Sequence, residues 1–378
     1  MKFKPVKTAV IGAGMISGIY LENLKNRFSI IDLVGVSDLV DAKAQAQAEK
    51  YGIRKMTNEE ILSDPEIELV LNLTYASAHY EVSKSILEAG KHCYSEKMMC
   101  LTLEEAAELD RIRREKNVMF TVAPDTFLGS SQQSSRYYLE MGFIGKPLHA
   151  DIALSRGYFM LKSDADDAYR KYSVVREGGG IPYDMGGYYL HQLFNLFGPA
   201  RRVCGFCDTH AANRPYLNPR HSSFEENFFV NTPNRICASM KFDNDITASM
   251  YISSEHKVTE NSFKIYGTEG NIEIGDPNDF DGKITLSLPS GTSELPLTHP
   301  FASNSRGVGA AEMAWSLRLG RKSRLTYEMS YHALELIEAV RDCTSDMFVK
   351  ELKTDFERPA PISRDAYGGD CEERSLYL

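Results

Sequence analysis

The chain has 378 residues, 43% of them apolar and 25% charged, and a formal net charge of −9. That length supports two globular domains with ordinary cores. The acidic balance excludes a broad nucleic-acid surface, which needs clustered Lys and Arg. Seven scattered cysteines, an odd count in a long chain, fit a reducing cytoplasm better than a disulfide framework. "VCGFC" has no second pair and no His cluster beside it, so it reads as small residues in a strand and no metal is expected. No apolar run reaches the roughly 18 residues of a membrane span. The start "MKFKPVKTAVIGAGMISGIYL" mimics a signal peptide, but its glycines lead directly into the amphipathic "YLENLKNRF". It reads as a first strand and helix, with a cytoplasmic location expected.

The apolar run Ala9–Ile11 enters Gly12-Ala-Gly14-Met15-Ile16-Ser17. A helical pattern follows, with Ile19, Leu21 and Leu24 apolar and Glu22, Lys25 and Arg27 polar. Gly12 permits a tight turn, and Gly14 lets the backbone approach a pyrophosphate seated on the helix N-terminus. Ser17 stands at the third glycine position, where a small residue still allows helix–strand packing. "IIDLVGVSD" is a second strand, Leu33–Ser37, ending at Asp38. That acid lies 24 residues beyond Gly14, near the spacing at which a carboxylate meets the adenosine ribose hydroxyls. Leu39 and Val40 follow it instead of a cation, so NAD is expected over NADP. Gly12, Gly14, Met15, Ile16 and Asp38 are therefore cofactor-binding candidates.

The alternation continues. "AKAQAQAEKYGI" is a helix, "ELVLNLT" a buried strand ending at Thr74, "HYEVSKSILEAGK" a helix starting near His79, and "HCYSEK" a strand. "TLEEAAELDRIRREKN" and "VMFTVAP" add a helix and a strand. The fold class is α/β, with a parallel, doubly wound Rossmann sheet over residues 1–125. Ligands collect beyond the C-terminal ends of such strands. Thr74, His79, Glu96, Lys97 and Asp125 fall at that edge and join the cofactor candidates.

After Asp125 the pattern changes. "SSQQSSRYYLEMGFIGKP" is a helix, "LHADIALSRG" a strand, "KSDADDAYRKYSVVREGGG" a polar loop, and "IPYDMGGYYLHQLFNLFG" a helix. Seven strand-like runs separated by short turns, from "RRVCGFCDTH" to "KITLSL", argue an open antiparallel sheet in a second α/β domain, 126–349. "MSYHALELIEAVRDC" is an amphipathic helix expected to pack back on the first domain, and 350–378 a polar tail, an arm to a neighbouring subunit. Asp184 and Tyr188, four apart, share a helix face, with His191 three further.

In order, "VIGAGMIS", "VGVSD", "HYEVSKSILEAGKHCYSEKM", "GFIGKP", "GGGIPYDMGGYY" and "KIYGTEGNIEI" resemble the glucose–fructose oxidoreductase and inositol dehydrogenase family, Gfo/Idh/MocA. The likeness runs to about Val349. The family's Glu-Lys-Pro appears as Glu96-Lys97-Met98, which leaves the local backbone open but keeps the lysine. Its Asp-x-x-x-His appears as Asp184 and Tyr188, and His191 replaces a further Asp.

The resemblance implies an NAD-dependent oxidoreductase acting on sugars, cyclitols or glycosides, and a homo-oligomer, dimer or higher, built on the outer face of the second sheet. It implies Lys97 as acid/base, Tyr188 as relay partner and Asp184 as orienting group. Glu96 would position Lys97 or contact the nicotinamide ribose, with His191, Arg156 and Tyr158 as substrate contacts. "PDTFLG" and "DMGGYYL" resemble a branch that includes glycoside 3-oxidising enzymes, so C3 of a hexopyranoside is the expected site. A retained cofactor reoxidised by a second sugar stays open. So do a non-catalytic dinucleotide-binding sensor and a reductase of another small polyol, aryl or imine substrate.

Overall fold

A computed structural model describes residues 3–157, 179–210, 212–216, 218–256, 258–364 and 373–377. They fall into two compact units: Met1–Gln133 with Thr298–Tyr331 and Pro359–Leu378, and Ser134–Leu297 with His332–Arg358. The units are not contiguous in sequence, because two late segments return to the first.

The first unit holds strands β1 (Val6–Ile11), β2 (Ile31–Ser37), β3 (Arg54–Lys55), β4 (Leu69–Asn72), β5 (His92–Ser95) and β6 (Phe120–Val122). Helices α1 (Ser17–Asn26), α2 (Asp41–Tyr51), α3 (Asn58–Ser63), α4 (Ala76–Glu88) and α5 (Leu103–Glu115) alternate with them. All pairings are parallel, in the order β3-β2-β1-β4-β5-β6. Central strands such as β4 are buried throughout, as expected where helices cover both faces. Thr102 and Glu105 form a capping box that starts α5, and Thr57 and Glu60 do the same for α3.

Register fixes the edge that matters. Ser37, Ile11, Asn72, Ser95 and Val122 stand level across β2, β1, β4, β5 and β6. The next residues along are therefore Asp38, Gly12, Leu73, Glu96 and Ala123. Four backbone bonds pin that row: Gly12 N to Ser37 O, Leu73 N to Ile11 O, Glu96 N to Asn72 O and Ala123 N to Ser95 O, all 2.8–2.9 Å.

The second unit is built on β7 (Pro147–Gly157), β8 (Ala200–Asp208), β11 (Arg235–Phe242), β12 (Thr247–His256), β13 (Glu260–Gly267), β14 (Asn271–Ile274), β15 (Ile284–Leu288), β16 (Gly291–Leu295) and β17 (Lys350–Glu351). β9 (Asn213–Pro215) and β10 (Asn227–Phe229) form a separate ribbon. The large sheet runs β16-β15-β14-β13-β7-β12-β11-β8-β17. Its pairings are antiparallel except that of β7 with β12, so the sheet is mixed and not purely antiparallel. Those two strands are separated by some ninety residues, so no hairpin turn sets their direction. β11 alternates buried and exposed residues, which leaves one face open.

Helix α6 is Ser130–Glu140, α7 the single turn Ile181–Asp184 and α8 Gly186–Phe197, all of whose residues are buried. The expected single helix over Asp184 and Tyr188 is thus two pieces, broken at Met185 just before the Gly186-Gly187 pair. Asp184 ends one piece and Tyr188 lies in the next, so the shared-face argument does not hold as drawn.

Two further helices follow, α9 (Val308–Leu319) and α10 (Tyr327–Asp346). α9 belongs to the first unit, where Arg318 pairs with Glu68 at 2.7 Å and the Trp315 ring lies tilted against Tyr377, centroids 4.4 Å apart. Residues 327–331 at the start of α10 fall within the first unit, where Tyr331 Oη donates to Leu103 O at 3.3 Å and Arg113 pairs with Glu328 at 2.5 Å. The described tail also folds onto its own chain. The Glu373 carboxylate accepts from Ser29 N, Ile30 N and Trp315 Nε1, and Leu376 O from Arg321 and Arg324.

Candidate active site

The glycine turn shows its chemistry in what each glycine meets. A Cβ on Gly12 would lie 2.6 Å from Leu73 C and O, at a φ of +108°, so the close approach of β1 to β4 admits only glycine. A Cβ on Gly14 would meet nothing within 4 Å. That is the open backbone a pyrophosphate needs. α1 begins there with no side-chain cap and no acid in its first turn, unlike α3 and α5. Its first amide groups and dipole suit an anion. Ser17, buried, donates from Oγ to Gly14 O at 2.7 Å and ties the turn to the helix. Met15 is 68% exposed and Ile16 half-buried.

Asp38 bridges the turn and the end of β2. Its Oδ2 accepts from Ala13 N at 2.7 Å and its Oδ1 from Val40 N at 2.8 Å. Leu39, 99% exposed, and Val40, half exposed, stand next to it. These apolar side chains were not among the sequence candidates, although two aliphatics directly after Asp38 are a visible signal. The donors, the open glycine and the acid together fit a dinucleotide.

Beyond β4, Thr74 donates from N and Oγ1 to Asn72 Oδ1, while Asn72 Nδ2 donates to His79 O. His79 is not at the surface. It is 1% exposed, with Nδ1 2.6 Å from Met98 O and Nε2 3.0 Å from Thr74 O. Two carbonyls favour a ring protonated at both nitrogens, whereas burial, the larger effect, lowers its pKa below 6.5. We assign the neutral ring, with its proton on Nδ1 at the shorter contact. Asp125 is also interior: its Oδ2 accepts from Gly307 N and Gly309 N ahead of and within α9, and burial pushes its pKa up to about 6.

Lys97 follows Glu96 at the ligand edge beyond β5, half-buried, and its peptide bond to Met98 is cis. Glu96 is held on both oxygens: Tyr20 Oη donates to Oε1 at 2.6 Å and Lys97 N to Oε2 at 3.2 Å. Tyr20 and Tyr94 hydroxyls lie 3.3 Å apart, both buried, and burial raises both phenols well above 10. Neither tyrosine was singled out from sequence, since nothing local ties a residue of α1 to one beyond β5.

In the second unit, Asp184 is half-buried and Tyr188 is 9% exposed. A Cβ on Gly180, φ +100°, would lie 2.5 Å from Pro233 O, which sets the entry to α7. Tyr183 Oη donates to Glu338 at 2.5 Å. His191 lies inside, Nδ1 against Gly187 O of its own helix at 2.8 Å, with burial pushing its pKa down to about 4. Arg156 Nη2 stands 3.6 Å from Asp276 Oδ2, and Tyr189 Oη donates to Asp276 Oδ1 at 3.1 Å. Asp276, in the turn after β14, was not anticipated. Tyr158 and most of the predicted polar loop fall outside the described residues. Among the described residues, no group of three or more His, Cys, Asp or Glu could hold a metal, and no helix is long and apolar enough to cross a membrane.

Residues 6–124 match a family model described as an oxidoreductase family with an NAD-binding Rossmann fold, and residues 133–273 match the C-terminal domain model of the same family. The chain belongs to the Gfo/Idh/MocA oxidoreductase family. An uncharacterised oxidoreductase of Schizosaccharomyces pombe is 30% identical over 204 residues, 53% of each chain, so the chain spans about half the length of that relative. A scyllo-inositol 2-dehydrogenase (NADP(+)) of Bacillus subtilis is 21% identical over 362 residues, 91% of this chain and 95% of that one. A levoglucosan dehydrogenase solved with NADH and L-sorbose is similar in fold, with a TM-score of 0.77 at 17% identity, covering 93% of this chain and 100% of that one.

Proposed function

We propose that this protein is an NAD-dependent oxidoreductase that oxidises a ring hydroxyl of a sugar or glycoside, with C3 of a hexopyranoside as the first position to test. The observation that carries the reading is Lys97, half-buried at the C-terminal edge of the dinucleotide sheet, on a turn gripped through Glu96. The sugar and cyclitol names among the similar proteins support the substrate class.

In this reading residues 1–125 hold the dinucleotide, and the unit built from residues after 125 holds substrate and pairs with further copies of the chain. Gly12, Gly14, Met15 and Ile16 bind the diphosphate at the α1 N-terminus, and Asp38 receives the adenosine ribose hydroxyls, which favours NAD over NADP. When bound, NAD supplies the acceptor for the hydride. Lys97 as an amine takes the hydroxyl proton, and as an ammonium it holds the negative oxygen. Asp184 orients the sugar and Tyr188 relays the proton. Arg156, anchored near Asp276, contacts a sugar hydroxyl.

The test begins with purified protein, NAD and a panel of free sugars, inositols and glycosides, following NADH absorbance and product mass. A product two mass units lighter with stoichiometric NADH supports a dehydrogenase. The same product without net NADH supports a retained cofactor. Lys97→Ala should keep NAD binding and lose about 10²–10⁴ in turnover. Wild-type turnover by Lys97→Ala would remove the proposal. Cofactor binding with no product anywhere in the panel would favour a sensor.

A further inference from the structure

Lys97 is a long, flexible side chain, and a useful acid–base group must be delivered to one place. The backbone on both of its sides is held by buried side chains from two different helices. On the N-terminal side, Tyr20 of α1 donates to Glu96 Oε1 at 2.6 Å, and Glu96 Oε2 accepts from the Lys97 amide at 3.2 Å. Tyr20 is itself backed by the Tyr94 hydroxyl at 3.3 Å. On the C-terminal side, His79 of α4 places Nδ1 2.6 Å from Met98 O. Both gripping residues are 1% exposed.

We propose that Tyr20 and His79 are positioning residues that clamp the Glu96–Met98 turn and thereby set where the Lys97 amine stands. The inference rests on Lys97 being the acid–base group proposed above. It goes further in linking that amine to the nucleotide turn, because Tyr20 belongs to the helix whose N-terminus Gly14 opens. The clamp also explains the chemistry of its parts. Tyr20 and Tyr94 are hydroxyl donors where phenylalanine would fill the same core volume, and His79 offers a nitrogen to the Met98 carbonyl.

The experiment uses the full chain, with NAD as the binding probe and acetic anhydride as the probe of Lys97. The rate of Lys97 acetylation, read by peptide mass spectrometry across pH, reports the environment of the amine without any need for turnover. Tyr20→Phe removes only a hydroxyl. His79→Gln keeps a donor near Nε2, and His79→Asn keeps one near Nδ1, on the Met98 side. Tyr20→Phe and His79→Gln are expected to shift the Lys97 profile by about half a pH unit or more. Turnover on the best panel substrate should fall about tenfold, and NAD affinity should change less than about threefold. His79→Asn should lose less than His79→Gln in both readouts. Tyr20→Phe placed on Lys97→Ala should add no further loss, since residues acting through one group are not additive.

Profiles and turnover unchanged in Tyr20→Phe and His79→Gln would overturn the clamp while leaving Lys97 in its proposed role. Equal damage from His79→Asn and His79→Gln, or a further loss in the double variant, would overturn it too. Wild-type turnover in Lys97→Ala would instead remove the catalytic reading, and the acetylation profiles would then decide the clamp alone.

Discussion

The Glu96–Met98 turn and the Gly180–Tyr188 segment both carry candidate chemistry, but they are held in place by different means. The first is fixed by side chains, with Tyr20 on Glu96 and His79 on Met98. The second is fixed by backbone and packing. Gly180 abuts Pro233 O, Met185 breaks the helix, and the α8 residues after it are buried throughout. Such a difference predicts different failures. A lost hydroxyl in the first unit should cost positioning more than stability. A change of shape in the second should cost stability first.

The largest expected effect tests the packed segment. Gly180→Ala puts a Cβ 2.5 Å from a backbone oxygen at a φ that L residues rarely adopt. Strain and overpacking together should cost about 3 kcal/mol. Denaturant unfolding would measure it, and a midpoint equal to wild type would show that this backbone is not rigid. Tyr183→Phe comes next. It leaves the largely buried Glu338 without its 2.5 Å donor, though Arg341 still pairs with that acid at 2.8 Å. A loss of about 2 kcal/mol is expected, as for a hydrogen bond to a charged group. A loss well under 1 kcal/mol would mean the arginine suffices.

Much of this contrast was legible beforehand on one side only. The placement of Gly12, Gly14 and Asp38 around one turn was legible because strand, turn and helix signals are local, and the edge position of Lys97 followed from counting alternating elements. The His79 and Asp125 interiors were not legible, since both residues sit at strand ends and only packing decides which way they face. α9 was missed because Val308–Ser316 is buried without a break, so no polar stripe marks its period. The break at Met185 did have a signal, the two glycines after it, which the i, i+4 spacing of Asp184 and Tyr188 overrode. The parallel pairing of β7 and β12 had none, because strand direction depends on a connection that spans most of the unit.

Acid should separate the two units further. In the second, His332 Nε2 accepts from Ala200 N at 3.1 Å while Nδ1 faces Thr354 Oγ1 at 2.7 Å. Burial pushes the pKa of His332, like that of His191, down to about 4. A depressed histidine contributes stability above its unfolded pKa of about 6.5, and that contribution is lost as pH falls toward 4. Wild-type melting temperature should therefore drop between pH 6.5 and 4.5, and His332→Gln, which cannot titrate, should drop less. Parallel curves for the two proteins would place the acid sensitivity elsewhere.

The smallest effect has the opposite sign. Burial raises the Asp125 pKa to about 6, against the two glycine amides that favour its charge. A carboxyl raised above its unfolded value of about 3.9 contributes stability below that value and loses it as pH climbs through 6. Acidification from pH 6 to 4 therefore strengthens the fold at Asp125 while it weakens the fold at His332 and His191. Asp125→Asn removes that compensation. At pH 7 the variant should be no less stable than wild type, because its amide oxygen can still accept from Gly307 and Gly309 and it carries no buried charge. Its decline on acidification should be steeper than that of wild type. Melting curves at half-unit steps would show it, and a decline no steeper than wild type would mean that Asp125 stays ionised throughout, with the Gly307 and Gly309 amides outweighing its burial.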